Sequence, residues 1–213
     1  MTRFALAAAL LLMTASGLAA QGGRRSDRST PEQRKTETIR NISQRLARLS
    51  ARPELLSQEN RSLIQKTSSL LERARQAAAG SYLLDRLESA MDDLLDGSEE
   101  ILESRLDLRN QLGIRDRRQS ADEVRRETVR ELERSYFRIQ QGDYFARQSQ
   151  ESDAQEYVLV ARRLYQLARA AYDAADYVGA RGLSEASKKA IDALESLAQA
   201  AVPIPEPPRL PEN

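Results

Sequence analysis

Residues 161–201 decide the fold: ARRLYQLARAAYDAADYVGARGLSEASKKAIDALESLAQAA. This stretch contains no proline, and its small and apolar residues recur every three or four positions, which is the period of an α-helix. The first row of such residues is Ala161, Leu164, Ala168, Ala171 and Ala175, and the second is Ala180, Leu183, Ala186, Ala190, Leu194 and Leu197. The pattern predicts two closely packed helices joined as an αα-hairpin.

The helical pattern continues through most of the chain. No proline occurs between Glu54 and Val202, and no window alternates apolar and polar residues as a half-buried strand would. The sequence therefore predicts an all-α fold of elongated helical hairpins, with helices over about 31–50, 53–80, 82–112, 120–141, 143–174 and 177–201. We expect Gly142 to end the fourth helix. Whether the next helix is broken near Ser152 stays open.

These helices divide the chain into regions. The predicted organisation is a signal peptide over 1–20, a flexible lead-in over 21–30, an N-terminal helical hairpin region over 31–112, a C-terminal helical region over 120–202 and a proline-rich tail over 203–213. The two helical regions are joined by GIRDRRQ at 113–119, which precedes a capping box formed by Ser120 and Glu123.

The first twenty residues have the parts of a secretory signal peptide. Arg3 is followed by the apolar run FALAAALLLM at 4–13, and Gly17 and Ala19 form a small-x-small cleavage site. An uncleaved anchor is the alternative, but the apolar run is shorter than the ~20 residues that span a bilayer. No Cys follows that could carry a lipid. We expect a periplasmic or secreted protein.

Composition excludes most catalytic chemistry. The chain of 213 residues has no His and no Cys, so it has no imidazole base, thiolate nucleophile, disulfide or zinc–thiolate site. Its 33 basic residues balance 32 acidic ones, which argues against a general affinity for nucleic acid. We expect no cofactor and no enzymatic activity.

Charge is unevenly distributed along the chain. Residues 24–52 contain nine basic and three acidic residues, whereas 81–107 contain two basic and nine acidic residues. This charge distribution has two possible explanations. The basic and acidic helices form ion pairs with each other, or the charged residues form a polar docking surface for a partner. The acidic residues share one helix face: Asp92, Asp96, Glu99 or Glu100, and Glu103. Such a row could hold Ca²⁺ or an acid/base pair, but helical spacing favours a solvated face, and we assign no metal or catalytic residue to it.

The segment LYQLARAAYDAADYVGA at 164–180 resembles the first helix, the turn and the early second helix of a tetratricopeptide repeat. The residues that carry the resemblance are Leu164, Leu167, Ala168 and Ala171 in the first helix, and Asp176, Tyr177 and Ala180 in the turn and second helix. A partial second copy, Gly142-Asp143-Tyr144, lies 33 residues before Asp176 and Tyr177. The resemblance implies a hairpin that binds peptides or partner helices.

A second resemblance lies at the start of the first predicted helix. Ser29-Thr30-Pro31-Glu32-Gln33 is similar to the Leu-Thr-x-x-Gln motif of small, all-helical periplasmic chaperones, with Ser29 in place of Leu. The same residues also fit an ordinary helix start, in which Thr30 is the cap and Pro31 the first helical residue.

Aromatic residues are concentrated in the C-terminal half. We predict partner contacts for Tyr136, Tyr144, Tyr157, Tyr165, Tyr172 and Tyr177, because aromatic side chains anchor interfaces. Packing between the hairpins is the alternative role. In the tail VPIPEPPRLPEN, the PxxP spacing of Pro205, Pro208 and Pro211 fits either a polyproline II ligand or a stiff spacer.

Together these features predict an exported, non-catalytic helical scaffold or adaptor that binds another protein. The alternative is a periplasmic chaperone that holds unfolded clients on an amphipathic helical surface. Heptad-like apolar stripes also lead us to expect self-association of the long helices in either case.

Overall fold

The computed structural model describes residues 30–51, 56–111 and 121–201. It contains six helices: α1 (Pro31–Ser50), α2 (Gln58–Gln76), α3 (Tyr82–Gln111), α4 (Ala121–Gln148), α5 (Ala154–Asp173) and α6 (Tyr177–Ala200). No strand occurs in these residues, so the predicted all-α fold is confirmed. None of the described helices is long and apolar enough to cross a membrane.

Local capping sets the first two helix starts. The Gln33 N–H donates to Thr30 Oγ1 at 3.2 Å, and the Thr30 N–H donates to Gln33 Oε1 at 2.8 Å. This capping box fixes α1 at the predicted residue. Helix α2 begins at Gln58, because the Ser57 hydroxyl accepts from the Asn60 N–H and caps the helix. Residues 56 and 57 are not helical, so the helix predicted from Pro53 does not run unbroken into α2. Pro53 itself lies outside the described residues.

The centre of the bundle is α6, which packs against α3, α4 and α5, and most extensively against α3. Two glycines let the backbones of α3 and α6 approach. A Cβ on Gly97 would lie 3.3 Å from Ala186 Cα, and one on Gly182 would lie 2.8 Å from the carbonyl oxygen of Glu100. Gly97 therefore permits close packing within an unbroken helix.

One hydrophobic core runs through the molecule. It includes buried residues of α1, α2, α3, α4, α5 and α6, such as Leu46, Leu63, Leu94, Leu164 and Leu194. The two helical regions predicted from the sequence therefore share a core. The expected pairing of α5 with α6 is present, joined at 174–176, where Ala175 adopts a φ of 62°.

Gly142 does not end α4, contrary to the prediction. The helix continues to Gln148. Gly142 has a packing role instead, since it is buried where a Cβ would lie 2.8 Å from Ile191 Cδ1 of α6. Its missing side chain makes room for α6. The helical run is broken near Ser152, where the sequence left a helix break undecided, because α4 ends at Gln148 and α5 begins at Ala154.

Candidate functional site

A concave apolar groove of about 460 Å³ lies between α4 and α5. From α4 it is lined by Val129, Leu132, Glu133, Tyr136 and Phe137. From α5 it is lined by Tyr165, Arg169 and Tyr172. We call this surface the aromatic groove.

Helical spacing produces the aromatic groove. Tyr165 and Tyr172 are two turns apart on α5, with Arg169 one turn from Tyr165, so all three lie along one face. Between them Ala168 is fully buried against the bundle, which holds α5 close to its neighbours. On α4, Leu132 is also buried and forms part of the floor.

The rings in the aromatic groove contact one another but remain open to solvent. The Tyr136 ring lies 6.0 Å from the Tyr165 ring and 6.2 Å from the Phe137 ring, measured between centroids. Yet Phe137 is 71% exposed and Tyr136 is 49% exposed. Adjacent exposed rings in a concavity are typical of a surface that another molecule covers.

A second depression, of about 640 Å³, continues from the aromatic groove toward the start of α4. The two share Val129, Glu133 and Tyr172. The second depression adds charged residues of α4: Asp122, Arg125, Arg126 and Arg130. The Arg125 guanidinium donates from Nε to the Tyr172 hydroxyl at 3.2 Å, which links the basic and aromatic surfaces.

The six predicted tyrosines lie in three environments, which are the aromatic groove, the surface outside it and the core. Tyr136, Tyr165 and Tyr172 line the aromatic groove. Tyr177 lies half-buried beside Tyr172, with 5.3 Å between ring centroids, and Tyr144 is exposed next to Phe145.

Tyr157 has a different environment. It is 2% exposed in the core, where the Lys66 ammonium lies 4.1 Å from its ring centroid. Burial raises the pKa of its phenol. The Tyr157 side chain therefore packs the bundle and offers almost no surface to a partner.

Five of the eight residues that line the aromatic groove were not predicted as partner contacts: Val129, Leu132, Glu133, Phe137 and Arg169. Phe137 follows Tyr136 directly, on the solvent side of the apolar stripe. Arg169 falls on an exposed position of α5, inside the segment that resembles a tetratricopeptide repeat, but it is not one of the residues that carry the resemblance. The predicted tail residues Pro205, Pro208 and Pro211 lie outside the described residues.

Arg45 of α1 occupies the acidic face of α3. Its guanidinium contacts Asp92 at 2.9 Å, Asp96 at 2.7 Å and Glu99 at 2.8 Å. Burial raises the pKa of Asp92, and the nearby Arg45 opposes that shift. The interpretation of paired basic and acidic helices is thus confirmed here. The described residues contain no cluster of three or more side chains placed to hold a metal ion.

No protein-family model, curated protein or solved structure matches the chain. The resemblances to tetratricopeptide repeats and to periplasmic chaperones therefore stay predictions. The capping box at Thr30 and Gln33 gives the second of these motifs a structural role at the start of α1.

Proposed function

We propose that the protein is an exported, non-catalytic helical scaffold or adaptor, and that it binds another protein through the aromatic groove. The observation that carries the proposal is the pair of exposed rings, Tyr136 and Phe137, in a concave surface. Complete burial of a large apolar side chain contributes about 1.5–3 kcal/mol, and the exposed fractions of these two rings leave a part of that free energy unused. A partner that covers them recovers this free energy.

The composition of the aromatic groove also supports a protein partner. Tyr and Arg are the residue types enriched at the energetic centres of protein interfaces, and this groove contains three Tyr and one Arg. The groove rests on buried core residues, so a partner meets a preformed surface and spends little free energy on ordering it.

Two parts of the proposal, export and the lack of catalysis, are supported by the sequence alone. Residues 1–20 have the parts of a signal peptide, and the chain has neither His nor Cys to provide common catalytic groups. The exposed rings equally suit the alternative, a chaperone that holds unfolded clients. The number and kind of captured proteins separate the two functions.

The test is crosslinking and affinity capture from the native host with three forms of the full chain. These are the natural protein, Phe137→Ala in the groove, and Leu159→Ala as a matched control. Leu159 is 62% exposed on α5 but does not line the groove. Because both side chains are exposed, each substitution is expected to change the free energy of unfolding by less than about 0.5 kcal/mol.

The proposal predicts one or two stoichiometric partners that are retained by Leu159→Ala and lost with Phe137→Ala. Equal capture by both variants would remove the aromatic groove as the interface. A broad set of unfolded exported proteins would instead support the chaperone function.

A further inference from the structure

The aromatic groove is bordered by arginines that have no carboxylate partner among the residues that the structure describes. Arg125, Arg126 and Arg130 are exposed on α4, and Arg169 is exposed on α5. None of the four forms an ion pair with another described residue. We call these four residues the arginine border.

Several other arginines in the bundle are neutralised by carboxylates. Arg45 contacts three carboxylates, Arg138 contacts Asp192 and Glu195, and Arg163 contacts Glu59. Single exposed arginines without an ion pair to a described residue, such as Arg40, also occur elsewhere in the bundle. The arginine border differs because four such residues line one continuous surface. Arg125 donates from Nε to the Tyr172 hydroxyl and Arg126 donates from Nε to the Asp122 carbonyl oxygen, but neither bond neutralises the guanidinium charge. The charge of the four guanidinium groups can therefore be paired by carboxylates from another molecule.

The net charge of the combined surface is positive. Two carboxylates, Asp122 and Glu133, line the aromatic groove and the adjoining depression together with the four arginines. This leaves an excess of two positive charges beside the exposed rings. A complementary ligand carries negative charge next to an apolar group.

We infer that the partner covers the aromatic groove with an acidic segment in which Asp or Glu residues flank an aromatic or aliphatic anchor. This inference rests on the proposed function, and it specifies the partner's chemistry. The anchor packs on Tyr136 and Phe137, while the flanking carboxylates accept hydrogen bonds from the arginine border.

Fluorescence anisotropy with labelled twelve-residue peptides tests the inference on the full-length mature chain. The first peptide has a central Phe-Leu anchor between Glu residues, the second replaces each Glu by Lys, and the third keeps Glu but replaces the anchor by Ser. Single-stranded DNA and a peptide of residues 203–213 (PIPEPPRLPEN) are the remaining probes.

The protein variants are Arg130→Glu combined with Arg169→Glu, and Arg40→Glu as a control on α1. Arg40 is likewise exposed and forms no ion pair with another described residue. Circular dichroism and thermal melting check that both variants remain folded, which we expect because all three side chains are exposed.

The anchored acidic peptide is expected to bind most tightly, and increasing salt weakens its binding because the charges are solvent-exposed. The double charge reversal should weaken this binding by about tenfold or more, while Arg40→Glu leaves it unchanged. Equal binding of the Lys peptide, or equal binding by the double variant, would overturn the inference.

The remaining probes identify other occupants. Tighter binding of DNA would assign the arginine border to nucleic acid, and tighter binding of the 203–213 peptide would assign the groove to the chain's own tail. Either result overturns the inference. If Phe137→Ala abolishes capture of the host partner but the double charge reversal does not, the proposed function stands and only the acidic chemistry fails.

Discussion

Gly182 of α6 lies against the carbonyl oxygen of Glu100 on α3, and a Cβ at position 182 would come within 2.8 Å of that oxygen. It would also lie 2.6 Å from the Ser104 hydroxyl oxygen. This contact joins the two most extensively packed helices of the bundle. The absence of a side chain at Gly182 therefore sets the distance between them.

We expect Gly182→Ala to destabilise the protein. Overpacking costs about 1–3 kcal/mol, and the two contacts at 2.6 and 2.8 Å place this site in the upper part of that range. The cost then exceeds the ~1 kcal/mol gained from the higher helix propensity of Ala. The matched control is Gly142→Ala, where the nearest atom is the flexible end of the Ile191 side chain. Urea unfolding should show a larger loss at position 182. A stabilised Gly182→Ala variant would contradict this packing.

Lys66 connects α2 to α5. Its ammonium donates to Asp153 at 2.8 Å and to Glu156 at 3.1 Å, and it lies over the Tyr157 ring. Lys66→Met should lower the free energy of unfolding by about 1–2 kcal/mol. The loss is more than that of a surface pair because Lys66 is buried, and it stays moderate because water can hydrate the two carboxylates that lose their partner.

The control for Lys66 is Arg162→Met, which removes an exposed pair with Asp143. Such a pair contributes about 0–1 kcal/mol. Chemical denaturation of the two variants compares the sites. Losses of equal size would show that burial does not strengthen the Lys66 contacts.

Lys188 of α6 holds two carboxyl groups together, since its ammonium donates to Glu131 of α4 at 3.3 Å and to Glu185 of α6 at 2.7 Å. Burial raises the pKa of Glu185, and its hydrogen bond to Glu131 raises it further. For Glu131, burial opposes the charged form, but hydrogen bonds from Glu185, Lys188 and Arg134 lower the pKa overall. The two carboxyl groups therefore hold their protons unequally.

The raised pKa of Glu185 gives a pH-dependent stability. Its contribution is fully present below the unfolded pKa and is lost as the pH rises through the folded pKa. Glu185→Gln keeps an amide donor toward Glu131 and removes the like charge. We expect a higher melting temperature than that of the natural protein at about pH 7, and a smaller difference at about pH 4. The expectation would be refuted if the gain in melting temperature over the natural protein were smaller at about pH 7 than at about pH 4.

Much of the helix arrangement could be predicted because its signals are local. Thr30 and Pro31 mark the start of α1, and the spacing of small residues identifies the faces of α5 and α6 that are buried. Periodicity identifies a buried face but not the element that covers it. The close packing of α6 on α3 through Gly97 and Gly182 therefore appeared only in the structure.

The aromatic groove could be predicted only in part, because the sequence does not show which helix faces which. Tyr136, Tyr165 and Tyr172 are found by residue type, but their separation from the buried Tyr157 depends on how α4 and α5 pack. Phe137 has the largest exposed fraction of these residues and lies outside the apolar stripe, so periodicity assigns it no role.

Site-specific photocrosslinking in the native host tests the central claim most directly. A benzophenone amino acid replaces Phe137 in the aromatic groove or, as the control, Arg40 on the exposed face of α1. The account predicts a discrete protein adduct from position 137 and none from position 40. Equal adducts at both positions, or none at position 137, would contradict the claim that the aromatic groove binds a protein partner.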